Sequence, residues 1–456
     1  MRRFFWLIVL LALSAAVSAY ADDIADVQRA CLQRGNFHKG IYWTAECLQE
    51  AFSAEQFHFT LTSVAPGAGF AALGGGSGKI LRFRGFEFML AGSAAMVPIE
   101  GSSVGQVQMT FALPSRGFTR PDSTLNSREN KYGMRSMTRR PEDDPVDAKM
   151  SFTLRFRRIN PREQDFYGLG PGTLRSGLAS YGLIFNETYA DVNNPLTSWS
   201  ALGFDFSFLQ PRVTSSISSD PQIRSVYTEA TAPGLTFRND FLRYEPYLFF
   251  RIPSHRSFFT RIRAGYAFYE AMGDSRFTFG RLSGNSQTSI PLWFPSHGTP
   301  FTRKWLGQKW LANTVCPSLR SGTRCSMGDL NLIAMVTASY TSAGSSVPFY
   351  FDQTLGGSDI NGNDTLRAFG TYRFRGPNSV LFQAEYRHPL WGPVGLFSFY
   401  DMGKVALLRS DLSLDHLRHD TGVGLYFYAG NHEIARVYMG FGGEVSRPGF
   451  KFANSF

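Results

Sequence analysis

What this chain of 456 residues lacks narrows it first. After residue 21 no stretch offers the roughly 18 consecutive apolar residues of a membrane-crossing helix. No Gly-x-Ser-x-Gly elbow and no HExxH helix is present, and the eight His are scattered. His416 and His419 lie three apart, in a stretch that reads as a loop between strands and fits a surface better than a metal. Gly74 to Lys79 fails the phosphate-loop pattern, with Leu73 and Ile80 at the wrong places, and reads as a turn. Charged residues make up only 18%. An enzyme, a metal site and a cofactor are therefore not expected. Cysteine is scarce too. The four form two local pairs, Cys31/Cys47 and Cys316/Cys325, whose spacing fits no CxxC zinc pattern.

What is there begins with a secretory signal over 1–21. Arg2 and Arg3 precede an apolar run from Phe4 to about Val17, and Ala19-Tyr20-Ala21 forms a small-x-small cleavage site. Export meets an oxidising compartment, so the two Cys pairs are expected as disulfides. Residues 22–60 read as a short helical segment. Ile24, Val27 and Cys31 repeat at helical spacing, and Cys47, Leu48 and Phe52 supply a second apolar face.

From about residue 61 to 456 the pattern is strands. Phe152, Leu154 and Phe156 alternate with Thr153, Arg155 and Arg157, and Ile262, Ala264, Tyr266 and Phe268 alternate with Arg263 and Gly265. The chain is 15% aromatic and holds 45 Gly. Hydrophobicity hidden in alternation suits a transmembrane β-barrel, and the competing reading is a secreted β-sandwich or propeller. The formal charge of +10 comes largely from Arg at alternate strand positions. A polar lumen or anionic lipid accounts for that better than nucleic acid. Arg116 to Asp147 is charged, aperiodic and loop-like, and is expected at the cell surface.

Three motifs carry a resemblance. Leu366-Arg367-Ala368-Phe369 lies in a Gly/Asn-rich loop. Phe399-Tyr400-Asp401-Met402-Gly403 lies on a later strand. Phe166-Tyr167-Gly168-Leu169-Gly170-Pro171 follows a strand, and the chain ends on Phe450, Phe452 and Phe456. Together they resemble the BamA/TamA superfamily of outer-membrane assembly barrels, the bacterial surface antigens, in a subgroup without N-terminal receptor modules. The resemblance implies an all-β fold, a 16-stranded antiparallel transmembrane barrel behind a short N-terminal helical hairpin. It implies that the loop dips into the lumen, where Arg367 and Phe369 dock against Phe399, Asp401 and Gly403. Glu385 shares a strand face with Gln383 and Arg387, so it too faces the lumen. The tip here has Ala368 where the family has Gly, which is expected to alter the backbone. The aromatic C-terminus is the insertion signal read by the general barrel-assembly machinery.

The implied location is the outer membrane of a Gram-negative-type cell, in contact with its lipids. The implied role is insertion or translocation of an outer-membrane protein, lipoprotein or lipid client at a lateral seam. The alternative is a passive channel or structural barrel. Strand parity puts both Cys pairs on the periplasmic side, so Ser318 is expected there and Ser127 outside.

Overall fold

The computed structural model describes residues 57–62, 71–83, 86–97, 101–112, 150–254, 258–295, 324–359, 362–391, 394–429, 432–442, 444 and 446–452. The signal segment, Cys31, Cys47, Cys316 and Phe456 lie outside these residues.

Nineteen strands form in chain order. They are β1 (Phe57–Thr62), β2 (Ala71–Phe83), β3 (Phe86–Met96), β4 (Ser103–Ala112), β5 (Ser151–Asn160), β6 (Gln164–Phe166), β7 (Ala179–Thr197), β8 (Ser200–Thr214), β9 (Phe241–Ser254) and β10 (Phe258–Ala271). There follow β11 (Phe279–Pro295), β12 (Arg324–Thr341), β13 (Gln353–Leu355), β14 (Phe374–Gly376), β15 (Asn378–Trp391), β16 (Val394–Ala406), β17 (Arg418–Ala429), β18 (His432–Phe441) and β19 (Arg447–Phe452).

Each long strand pairs antiparallel with the next, from β1 through β5, on through β7 to β12, and from β15 to β19. Among the described residues that succession holds sixteen strands. The short β6 adds to β7 beyond the end of β5, and β13 pairs with β14 in a separate hairpin. The sheet curls until Cα atoms of β1 and β19 lie within 8 Å.

The side chains explain the curl. Along β8, Leu202 and Phe204 are each 45% exposed, while Asp205 and Ser207 on the other face are 2% and 0% exposed. On β16, Leu396 and Tyr400 face out, and Phe397, Phe399 and Asp401 are buried. On β10, Tyr266 and Phe268 face out, while Arg263 reaches Asp205 at 2.9 Å and Glu245 at 3.2 Å. A sheet apolar outside and charged inside is inverted relative to a soluble protein, and suits lipid around a polar lumen. Among the described residues no helix is long and apolar enough to cross a membrane.

Alternation was legible; edges and glycines were less so. Among the described residues the first strand is Phe57–Thr62, so 57–60 are strand within the stretch read as helical. Gly74 to Lys79 is no turn. It lies inside β2, bonded to β1 on one side and β3 on the other. His419 sits on β17, and His416 precedes it in the connection with φ of 55°. Alternating direction puts the end of β4 at Ala112 and the end of β11 at Pro295 on the same sheet edge. Ser127 and Ser318, read as lying on opposite sides, are outside the described residues.

Candidate functional site

The site is built on the connection from β12 to β15. This loop leaves Thr341, is pinched by the β13–β14 hairpin, and folds back into the lumen. The pinch requires glycine at Gly356. Its φ is +119°, and a Cβ there would lie 2.3 Å from the Gly370 carbonyl oxygen. Beyond it, Leu366, Phe369, Phe374 and Leu355 pack with Leu381 of β15 and Val405 of β16. This apolar cluster fixes where Arg367 points.

Arg367 is 2% exposed and makes a fork on Asp401, with Nε to Oδ2 and Nη2 to Oδ1 both at 2.8 Å. Its Nη1 donates to Glu385 Oε2. The guanidinium lies 3.7 Å from the centroid of the Phe399 ring. Planar forks of this kind give geometric specificity that an ammonium cannot. Burial works against the charge on Arg367, but Asp401 and Glu385 outweigh it and raise its pKa above the usual value. Gln383, directly across from Asp401, donates to Asp401 Oδ1 and to the Thr365 carbonyl, each at 3.1 Å.

Arg367, Glu385, Asp401 and Phe399, singled out in the sequence, are brought together here. Phe369 is buried but meets Phe374, at 5.3 Å between ring centroids, rather than Phe399. Gly403 makes room: a Cβ there would stand 2.6 Å from the Val380 carbonyl oxygen and 3.3 Å from Leu355. Ala368 is not among the residues with positive φ. Its amide donates to Asp420 Oδ2 at 2.9 Å, and its methyl sits where Gly440 of β18 has no side chain. The close approach is thus allowed by the glycine on the opposing strand. Of the C-terminal aromatics, Phe450 points outward and is 46% exposed, and Phe452 pairs through its backbone with Ala435. Cys325 pairs through its backbone with Phe294.

Sequence reasoning missed the wider network. Arg436 of β18 joins Glu385 at 3.4 Å, Asp364 at 3.2 Å and Glu433. Lys451 of β19 joins Asp364 at 2.8 Å and the Gly362 carbonyl at 2.7 Å. Arg447 donates to the Phe369 carbonyl at 2.6 Å. The available signal was the alternation of β18 and β19, which puts Arg436 and Lys451 opposite each other on the lumenal face.

The loop's return limb meets the Phe166–Pro171 motif. The Gly170 amide donates to the Arg375 carbonyl at 2.7 Å. The Arg375 side chain is buried and donates to the Tyr181 hydroxyl at 2.9 Å and the Phe349 carbonyl at 3.1 Å. Arg373 reaches Glu444 at 2.7 Å and the Thr173 carbonyl at 2.7 Å. Phe166, Tyr181, Phe349 and Phe241 continue this contact into the largest apolar core, joined by Ile223 and Leu235 from the 215–240 connection.

A curled antiparallel sheet, apolar outside and charged inside with an arginine loop latched across its interior, has the arrangement of the transmembrane β-barrel class. Two solved structures are similar to it over most of its length. BamA from Haemophilus ducreyi lacking POTRA domains 1–3 matches at 11% identity and a TM-score of 0.47, covering 88% of this chain and 68% of its own. CdiB from Acinetobacter baumannii matches at 10% identity and a TM-score of 0.44, covering 87% of this chain and 59% of its own. No protein-family model and no curated protein matches the chain.

Proposed function

We propose that this protein is an outer-membrane barrel that inserts or translocates a protein or lipid client through a lateral seam between β1 and β19. One observation carries the reading: the latch braces one side of that seam. Asp401 and Glu385 stand on β16 and β15, Asp420 on β17, Arg436 on β18, and Arg447 and Lys451 on β19. The loop thus fastens a wall that runs up to the seam. Cα atoms of β1 and β19 come within 8 Å of one another, and among the described residues no register pairs them. A braced wall that ends at such a seam is suited to opening sideways and pairing with a client strand by β-augmentation. Neither nucleotide nor cofactor enters this scheme. The barrel-assembly machinery inserts the chain itself.

A disulfide across the seam tests it. Cysteines at Leu61 and Phe450 are oxidised in cells, and the outer-membrane protein and lipid profile is compared with that of a depleted strain. The locked protein is expected to reproduce depletion, with reductant restoring the normal profile. A locked barrel that behaves as wild type refutes the seam and leaves the passive channel.

A further inference from the structure

Glu163, Asp165 and Asp220 each offer a carboxylate oxygen, and the three oxygens lie within 4.8 Å of one another. Glu163 and Asp165 belong to the stretch that turns from β5 into β6. Asp220 belongs to the 215–240 connection, which lies against that stretch. The Ile217 amide donates to the Arg162 carbonyl at 3.2 Å, and the Ser180 amide to the Pro221 carbonyl at 2.8 Å. Among the described residues none of the three carboxylates is in an ion pair. The Arg447 guanidinium is spent on the Phe369 carbonyl and the Thr371 hydroxyl. Ser218 Oγ donates to one oxygen of Asp220 at 3.0 Å.

A second observation is independent of the acids. Ser180 is 0% exposed, and its Oγ has no hydrogen-bond partner. It stands directly opposite Asp165 in the β6–β7 register, so both side chains leave the sheet on the same face. A buried hydroxyl left unsatisfied costs free energy unless something in the same space accepts or binds it. The three carboxylates and the hydroxyl thus come from three segments: the start of β6, β7 and the 215–240 connection.

We propose that Glu163, Asp165, Asp220 and Ser180 Oγ bind a hard divalent cation of the calcium class, which ties the 215–240 connection to the β6–β7 edge. All four donors are oxygens, as hard cations require. Calcium–oxygen distances of about 2.3–2.6 Å let ligands across the ion stand nearly 5 Å apart, whereas magnesium needs about 2.0–2.1 Å and tighter convergence. The three acids are half-buried, which leaves room for water to complete the shell. The cation neutralises the charge that three adjoining carboxylates concentrate there. The site also has structural reach. Phe166, next to Asp165, and Ile223, three residues after Asp220, enter the same apolar core that surrounds Arg375.

The test uses the full chain refolded in detergent free of lipopolysaccharide, stripped with EDTA, then titrated with CaCl2 or with NaCl at matched ionic strength. Calcium is expected to raise the temperature of heat-modifiability, with a dissociation constant on the order of 10⁻⁴–10⁻³ M. Terbium is expected to luminesce on excitation of tyrosine, since Tyr167 lies two residues from Asp165. Asp220→Asn and Ser180→Ala weaken the response on the order of tenfold or more, while Asp411→Asn, in the 407–417 connection, leaves it unchanged. A wild-type protein that responds to CaCl2 no more than to NaCl overturns the site. So does a response kept by the Asp165→Asn/Asp220→Asn double variant. The wild-type titration alone decides the matter where that double variant does not assemble.

Discussion

Arg367 is a charge made tolerable only by its partners. Removing one member of a buried pair strands the other, at a typical cost of about 3–5 kcal/mol. Arg367→Ala is therefore expected to leave Asp401 and Glu385 facing each other's field, to lower the urea midpoint in micelles, and to expose the loop to protease. An unchanged midpoint with the loop still resistant would show that the latch holds nothing. Asp352, in the same loop, is the opposite case. It is buried with neither carboxylate oxygen hydrogen-bonded, and burial pushes it up to about 8 in spite of Arg281 and Arg375. An unfolded aspartate loses its proton near pH 4. Between those values the folded chain binds more protons than the unfolded one, so stability falls as pH rises, by at most about 1.4 kcal/mol per unit. Asp352→Asn is expected to stabilise the protein at about pH 8.5 and to do little at about pH 4, read from urea midpoints at the two values. An equal gain at both would assign the effect to something other than this carboxyl.

At the level of elements, alternation made most strands readable because each face meets one environment. Val423, Leu425 and Phe427 on β17, or Phe397 to Gly403 on β16, declare their sides by chemistry alone. Gly74, Gly75 and Gly76 declare nothing, having no side chain to alternate, and so a strand read as a turn. The side assigned to the 113–149 connection rests on a weaker kind of signal. Charge density says that a segment is solvated, not which side of a membrane it is on; only the number of preceding crossings says that. The connection follows an even number of strands, β1 to β4, as 296–323 also does once β6 is set aside. Single cysteines at Ser127 and Ser318 are thus expected to label together, both only after the outer membrane is permeabilised. Labelling of one without the other on intact cells would break the strand order.

For the whole molecule, the sheet was legible and much of its interior was not. Arg367, Glu385 and Asp401 could be found because a motif marks two of them and a strand face the third. Arg436, Lys451, Arg373 and Arg375 could not, because each is an ordinary basic residue until the loop comes to rest against it. The reach of those contacts along the chain differs sharply. Arg367 meets partners 18 and 34 residues away, and Lys451 meets Asp364 at 87, while Arg373 must find Thr173 across 200. Closing a short span of chain loses less entropy than closing a long one, and low contact order folds sooner. The loop and β15 to β19 can therefore form first, as a nucleus whose ion pairs are complete before the amino-terminal strands arrive. The latch is then also a timing device: it finishes one wall of the protein early and gives the remaining strands an edge on which to grow.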